Sequence, residues 1–248
     1  MKGLVLALII IVVIIVAAVY LLYPTPSARS VSGNDYYWFI DQSVSSKSEQ
    51  SYNGWKAAFE DQLKCLKCGD RLFMFGIHNQ TRNAAAIAEA EIPSVIPRTW
   101  KNDKKCRDRL KEVAPVLRQK FEEALNPRQR SVTTDVFSAF ERIKADSSRR
   151  VVVVLVGDAL HSNHEIDLEK VRITDENIAD LLNPIIASRG WQPGILTGVR
   201  CHFLLDNLGI IDKQPLNDRG KLQKLYTTLL KALGGELVSF DTRLPLLQ

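Results

Sequence analysis

The chain of 248 residues is 46% hydrophobic and 25% charged, an ordinary globular composition, and it is long enough to bury a substantial core. Its formal net charge of +5 is small and spread along the chain. No basic stripe is interleaved with aromatics, which argues against nucleic acid as a partner.

From the N-terminus, Gly3 to Tyr23 is almost wholly apolar, and no charge falls between Lys2 and Arg29. About 20 residues at 1.5 Å rise cross the roughly 30 Å of a bilayer core, whereas the apolar region of a secretory signal has only about 7–15. Residues 1–23 are therefore predicted to be a retained transmembrane anchor. Lys2 and the terminal amine on one side, against Arg29 offset by Asp35 on the other, lean towards a soluble domain on the extracytoplasmic side. Residues 24–34, rich in Pro, Ser and Gly, read as a tether, and residues 35–248 as one domain.

That domain alternates strand and helix patterns with five strands. "YYWFI" (Tyr36–Ile40) is aromatic and apolar; Trp55, Phe59, Leu63 and Leu66 then recur at helical spacing. "RLFMFGI" (Arg71–Ile77) returns to strand character. An Ala-rich stretch from Asn83 to Ala90 and a passage broken by Pro93 and Pro97 lead to a helix whose Leu110, Val113, Leu117, Phe121 and Leu125 share a face, with a kink expected at Pro115. "VVVVLV" (Val151–Val156) has no polar alternation, the mark of a strand covered on both faces. Ile178, Leu181, Ile185 and Ile186 line the next helix, "VRCHFLLD" is a strand, Leu222, Leu225, Leu229 and Leu233 line another helix ending at Gly234-Gly235, and "ELVSF" closes the sheet. With right-handed crossovers, the fold class is α/β: a doubly wound, mostly parallel central sheet with helices on both faces, Rossmann-like in outline.

Four cysteines leave the compartment open. Cys65 and Cys68 form a C-x-x-C at a helix end, and with Cys106 and Cys201 they allow a zinc site or two disulfides, but the plain reading is incidental thiols.

The chemistry gathers where strands end. Asp41 closes the first strand and Asp158 closes "VVVVLVG", so in such a sheet both acids emerge at the carboxyl edge, where ligands bind. Two carboxylates placed together repel each other unless a cation lies between them or one is protonated. Ser43 and Ser45 add hydroxyl oxygens, and oxygen-only ligation suits a hard Mg²⁺ ion. The motif "DQSVS" (Asp41–Ser45), "SVTTDVFSAF" with Thr134, and "VVVVLVGDALHSN" with Asp158 together resemble the von Willebrand factor type A domains.

That resemblance implies a metal-ion-dependent adhesion site of Asp41, Ser43, Ser45, Thr134 and Asp158, with Thr133 as the alternative threonine. It would hold Mg²⁺ or Mn²⁺, whose open coordination position takes a carboxylate of a protein partner, and neither catalysis nor a small-molecule substrate is expected. The family usually has Thr or Ser before the last aspartate and Gly after it; here Gly157 and Ala159 stand there.

Other readings are a metal-free scaffold and a metal-dependent hydrolase with His161 or His164 as base. His161, His164 and Asp167 are also candidate transition-metal ligands, more simply read as solvated loop residues. His78 and Asp206 end strands on the same edge and are candidate rim residues.

Overall fold

The computed structural model describes residues 33–43, 49–94, 100–127, 130–146, 148–206, 218–245 and 247. The expected anchor and nearly all of the tether lie outside these residues. Among the described residues no helix is long and apolar enough to cross a membrane.

Six strands form one sheet: β1 (Asn34–Asp41), β2 (Arg71–Ile77), β3 (Ala88–Glu91), β4 (Arg150–Gly157), β5 (Val199–Leu205) and β6 (Glu236–Asp241). Their order is β3-β2-β1-β4-β5-β6, and every pairing is parallel except β2 with β3. The strand absent from the sequence reading is β3. Its "AEAE" sequence has helix-forming residues with little apolar surface, yet it pairs along β2 from Arg71–Glu91 to Met74–Ala88. Backbone pairing at the sheet edge here overrides local propensity.

Five helices cover the sheet: α1 (Glu49–Cys65), α2 (Trp100–Leu125), α3 (Phe137–Glu141), α4 (Ile178–Ser188) and α5 (Arg219–Ala232). The α2 helix continues through Pro115. Because side chains alternate along a strand, β4 sends Val151, Val153 and Leu155 to one face and Val152, Val154 and Val156 to the other. The first set packs in the core built with α3, α4 and α5, and the second in the core built with α1 and α2. In the latter, Trp38 meets Phe59 and Phe121 edge-on, at 4.9 and 5.6 Å between ring centroids. Burial of a side chain of this size contributes about 1.5–3 kcal/mol.

Local signals set the ends of α5. The Asp218 side chain accepts from Lys221 N at 2.9 Å, and Gly234, at φ +85°, lets Gly235 N return to Leu230 O at 2.8 Å. At the opposite rim of the sheet from the strand carboxyl ends, fully buried Asp35 accepts from Arg71 and Arg149, joining the starts of β1, β2 and β4.

The incidental-thiol reading of the cysteines is corrected. Cys68, just past α1, is disulfide-bonded to Cys106 in α2, with their Cα atoms 5.7 Å apart, while Cys65 and Cys201 are free. The sequence spacing of 38 residues offered no pairing rule, because the two cysteines meet only after α2 folds back over the sheet.

Candidate functional site

Reversal of strand order between β1 and β4 opens a crevice at their carboxyl ends. Asp41, the last residue of β1, is buried there. Its Oδ1 accepts from Ser43 N at 2.8 Å and its Oδ2 from the Ser43 hydroxyl at 3.0 Å, so the short polar side chain folds the chain back on itself as β1 ends. Ser43 also bridges to Ser131, with Ser131 N donating to Gln42 O at 3.0 Å. Ser45 lies outside the described residues.

The threonine loop is tied to the same edge. Thr134 is buried, and its N–H and C=O both pair with Ser162, at 3.0 and 2.8 Å, four residues past Asp158. Thr133 is only half-buried. Asp158, also buried, accepts from Leu160 N at 2.9 Å. The following Ala159 has φ +60°, a left-handed conformation usually taken by Gly, and its carbonyl is held by the Tyr226 hydroxyl of α5 at 2.7 Å. Burial, followed by the negative charges of Asp158, Asp135 and Asp41, pushes the Tyr226 phenol well above its ordinary pKa. The placement of Tyr226 was not singled out in the sequence, where it merely shares the apolar face of a leucine-rich helix.

Gly157 explains one departure from the resembled pattern. A Cβ there would lie 2.5 Å from Asp41 Cβ and 2.9 Å from Asp41 Oδ2, and its φ of +153° is one that side chains rarely adopt. The bare backbone gives Asp41 its position against the end of β4. Gly157→Ala is expected to cost about 1–3 kcal/mol of stability and to displace the Asp41 carboxylate. Urea unfolding measures the cost; a variant as stable as the parent would contradict this packing.

A buried ion network holds the threonine loop from behind. Asp135 accepts from Ser138 N and Oγ, at 3.1 and 2.5 Å, opening α3, and also from Arg189 Nη2 at 3.1 Å. Arg189 reaches Glu141 at 3.2 Å and Glu165 at 2.5 Å as well, and only 7% of its side chain is exposed. Burial alone would lower the Arg189 pKa; the hydrogen bond with Glu165 and the charges of Asp135, Glu165 and Glu141 outweigh it and raise it. Asp135 is therefore committed to structure.

His161 lies in the interior. It is fully buried, its ring stacked on Phe137 at 4.0 Å, and its Nδ1 accepts from Phe137 N at 3.3 Å. His164 is exposed, and among the described residues no three His, Cys, Asp or Glu side chains gather as a metal site. The half-buried His78 ring accepts from Gln80 N at 3.0 Å, while buried Asp206 accepts from the Ser51 hydroxyl of α1.

Burial pushes the His161 pKa down from 6.5 to about 4, an effect the Asp135 carboxylate only partly offsets. The folded value lies below the unfolded one, so the unfolded chain takes up the proton first. Stability is full above about pH 6.5 and falls as pH drops towards 4, by up to roughly 3 kcal/mol from this residue. Urea midpoints at pH 7 and pH 4.5 should show a smaller acid loss for His161→Gln than for the parent; equal losses would locate the acid sensitivity elsewhere.

No protein-family model and no curated protein matches the chain. Among solved structures it is similar to a von Willebrand factor type A protein from Catenulispora acidiphila, at TM-score 0.39 and 14% identity, covering 84% of this chain and 38% of that one. It is also similar to the conserved hypothetical protein BatB from Bacteroides thetaiotaomicron, at TM-score 0.38 and 12% identity, covering 84% of this chain and 91% of that one. A third is proximal thread matrix protein 1 from the mussel byssus, at TM-score 0.33 and 9% identity, covering 81% of this chain and 47% of that one. At these values the reading of the site rests on the geometry of this chain.

Proposed function

We propose that the domain is a membrane-tethered protein-binding module that holds Mg²⁺ or Mn²⁺ at Asp41, Ser43, Ser45, Thr134 and Asp158 and engages an acidic residue of a partner through the ion. The observation that carries this reading is the emergence of two buried carboxylates, Asp41 and Asp158, at the carboxyl ends of neighbouring parallel strands where the strand order reverses. Their company suits a hard divalent cation. The donors are oxygens only, two carboxylates with neutral hydroxyls, and the Gly157 backbone leaves room for Asp41. When bound, the ion would offer an open coordination position to a partner's carboxylate, and in a partly dry crevice that direct contact would be screened less than one with an exposed lysine.

The chain's own residues do the rest. The Thr134–Ser162 pairing holds the threonine loop, and the Leu160–Asp158 and Tyr226–Ala159 bonds orient the Asp158 turn. Beside Thr134, Val132 is 87% exposed, an apolar contact for a partner docking over the edge. The Cys68–Cys106 disulfide favours an oxidising compartment and so the extracytoplasmic side.

The Ser43 hydroxyl, already donating to Asp41, favours the metal-free scaffold as a second reading. Calorimetric titration of the full chain with Mg²⁺ and Mn²⁺ separates the two. Binding is expected in the parent and should be lost in Asp41→Ala and Asp158→Ala; a parent that binds neither ion at millimolar concentration supports the scaffold.

A further inference from the structure

On the sheet face that carries α3, α4 and α5, away from Asp41 and Asp158, lies an open cleft of about 710 Å³. Its floor is aromatic: Tyr37 of β1 stacks on Phe73 of β2 at 4.8 Å, and Phe75 lies further along the same strand. Phe73 is half-buried, and Ile195 on the opposite wall is 42% exposed. The lining runs from Arg71 at the start of β2, past Phe73 and Phe75, to Arg82 beyond its end. At about 3.3 Å per residue the seven residues of β2 alone extend roughly 20 Å, a length suited to an extended chain.

The charges on this cleft are unequally committed. Arg71 pairs with Asp35, and Arg82 and Arg189 both pair with Glu141. Arg142 and Lys144 have no carboxylate partner among the described residues. The Arg142 guanidinium lies over the Phe75 ring, 4.7 Å from its centroid, and Lys144 is exposed at the rim. Arg142 also donates from Nη1 to Arg82 O at 3.1 Å; it and Lys144, two cations without a carboxylate, share the cleft with the half-buried Phe73, which matches a ligand that offers carboxylates next to an apolar side chain.

We infer that this cleft docks an extended acidic peptide segment of a partner protein, with carboxylates on Arg142 and Lys144 and an aromatic or aliphatic side chain on Phe73. Two cations without a carboxylate suit discrete acids better than a continuous phosphate backbone, which needs a basic groove along its length, and this disfavours single-stranded nucleic acid as the occupant. None of Asp41, Ser43, Thr134 and Asp158 lines the cleft, so metal-free conditions distinguish its binding from that of the cation edge.

The test is calorimetric titration of the full chain, in EDTA, with the capped hexapeptide EEFELE, its counterpart KKFKLK and hexathymidylate. EEFELE is expected to bind, with affinity weakened about tenfold or more by Lys144→Glu and by Arg142→Glu and unchanged by Asp41→Ala. Lys144 is exposed, so its variant keeps the fold, and matching thermal midpoints check this. The inference is overturned if EEFELE does not bind, if KKFKLK binds equally well, if only hexathymidylate binds, or if Lys144→Glu leaves the affinity unchanged.

Discussion

Arg189→Leu is expected to lower the free energy of unfolding by about 3–5 kcal/mol, because it leaves Glu165 without its guanidinium and Asp135 and Glu141 with their remaining partners, Ser138 and Arg82 among them, around a site built for a cation. Asp135, Glu141 and Glu165 are 12%, 10% and 17% exposed at their side chains, too buried for water to replace the guanidinium fully. Leucine supplies comparable apolar volume, so the loss is electrostatic in origin. Adding Glu165→Gln removes one stranded charge and should restore part of the loss, a non-additivity that a merely steric role for Arg189 would not produce. Urea denaturation reads both effects. A cost below about 1 kcal/mol would mean the network behaves as a solvated surface cluster.

Cys68→Ala is expected to cost about 4 kcal/mol. The disulfide closes a loop with a sequence separation of 38, and by the chain-entropy relation a loop of that size restricts the unfolded chain to about that extent. Cys106 is buried in α2 beneath the same core as Phe121 and Leu117, so opening the bond also frees the first part of α2 to leave the sheet. Cys65→Ala should have little effect on stability, since Cys65 is free. Burial pushes the Cys201 thiol far up, which keeps it protonated and unreactive. Dithiothreitol should reproduce the Cys68→Ala loss in the parent and have no effect on the variant. A parent whose stability is indifferent to reductant would contradict the bridge.

Much of the architecture was legible because it is written in apolar periodicity. "RLFMFGI" coincides with β2, and "VVVVLV" lies within β4 and is covered on both faces, as its lack of alternation predicted. Asp41, Ser43 and Asp158 were legible as polar residues where strands end, and Thr134 only through the resemblance of its loop. The arrangement of sheet and loops brings all four to one edge. What escaped depends on partners distant in sequence. "AEAE" becomes a strand only because β2 offers it an edge; Arg189, Glu141 and Glu165 carry no sequence signal and meet only when the fold closes them together; and His161 reads as a loop histidine until Phe137 stacks on it. The Cys68–Cys106 bond belongs with these, since pairing follows from the placement of α2.

Crystals of the full chain soaked in Mn²⁺ and measured by anomalous diffraction at the manganese edge show whether an ion sits between Asp41 and Asp158. One strong anomalous peak is expected in the crevice between Asp41 and Asp158, absent from crystals of Asp41→Ala. No peak there, with both carboxylates ordered and Mn²⁺ at millimolar concentration, would contradict the cation site and leave the edge a metal-free surface.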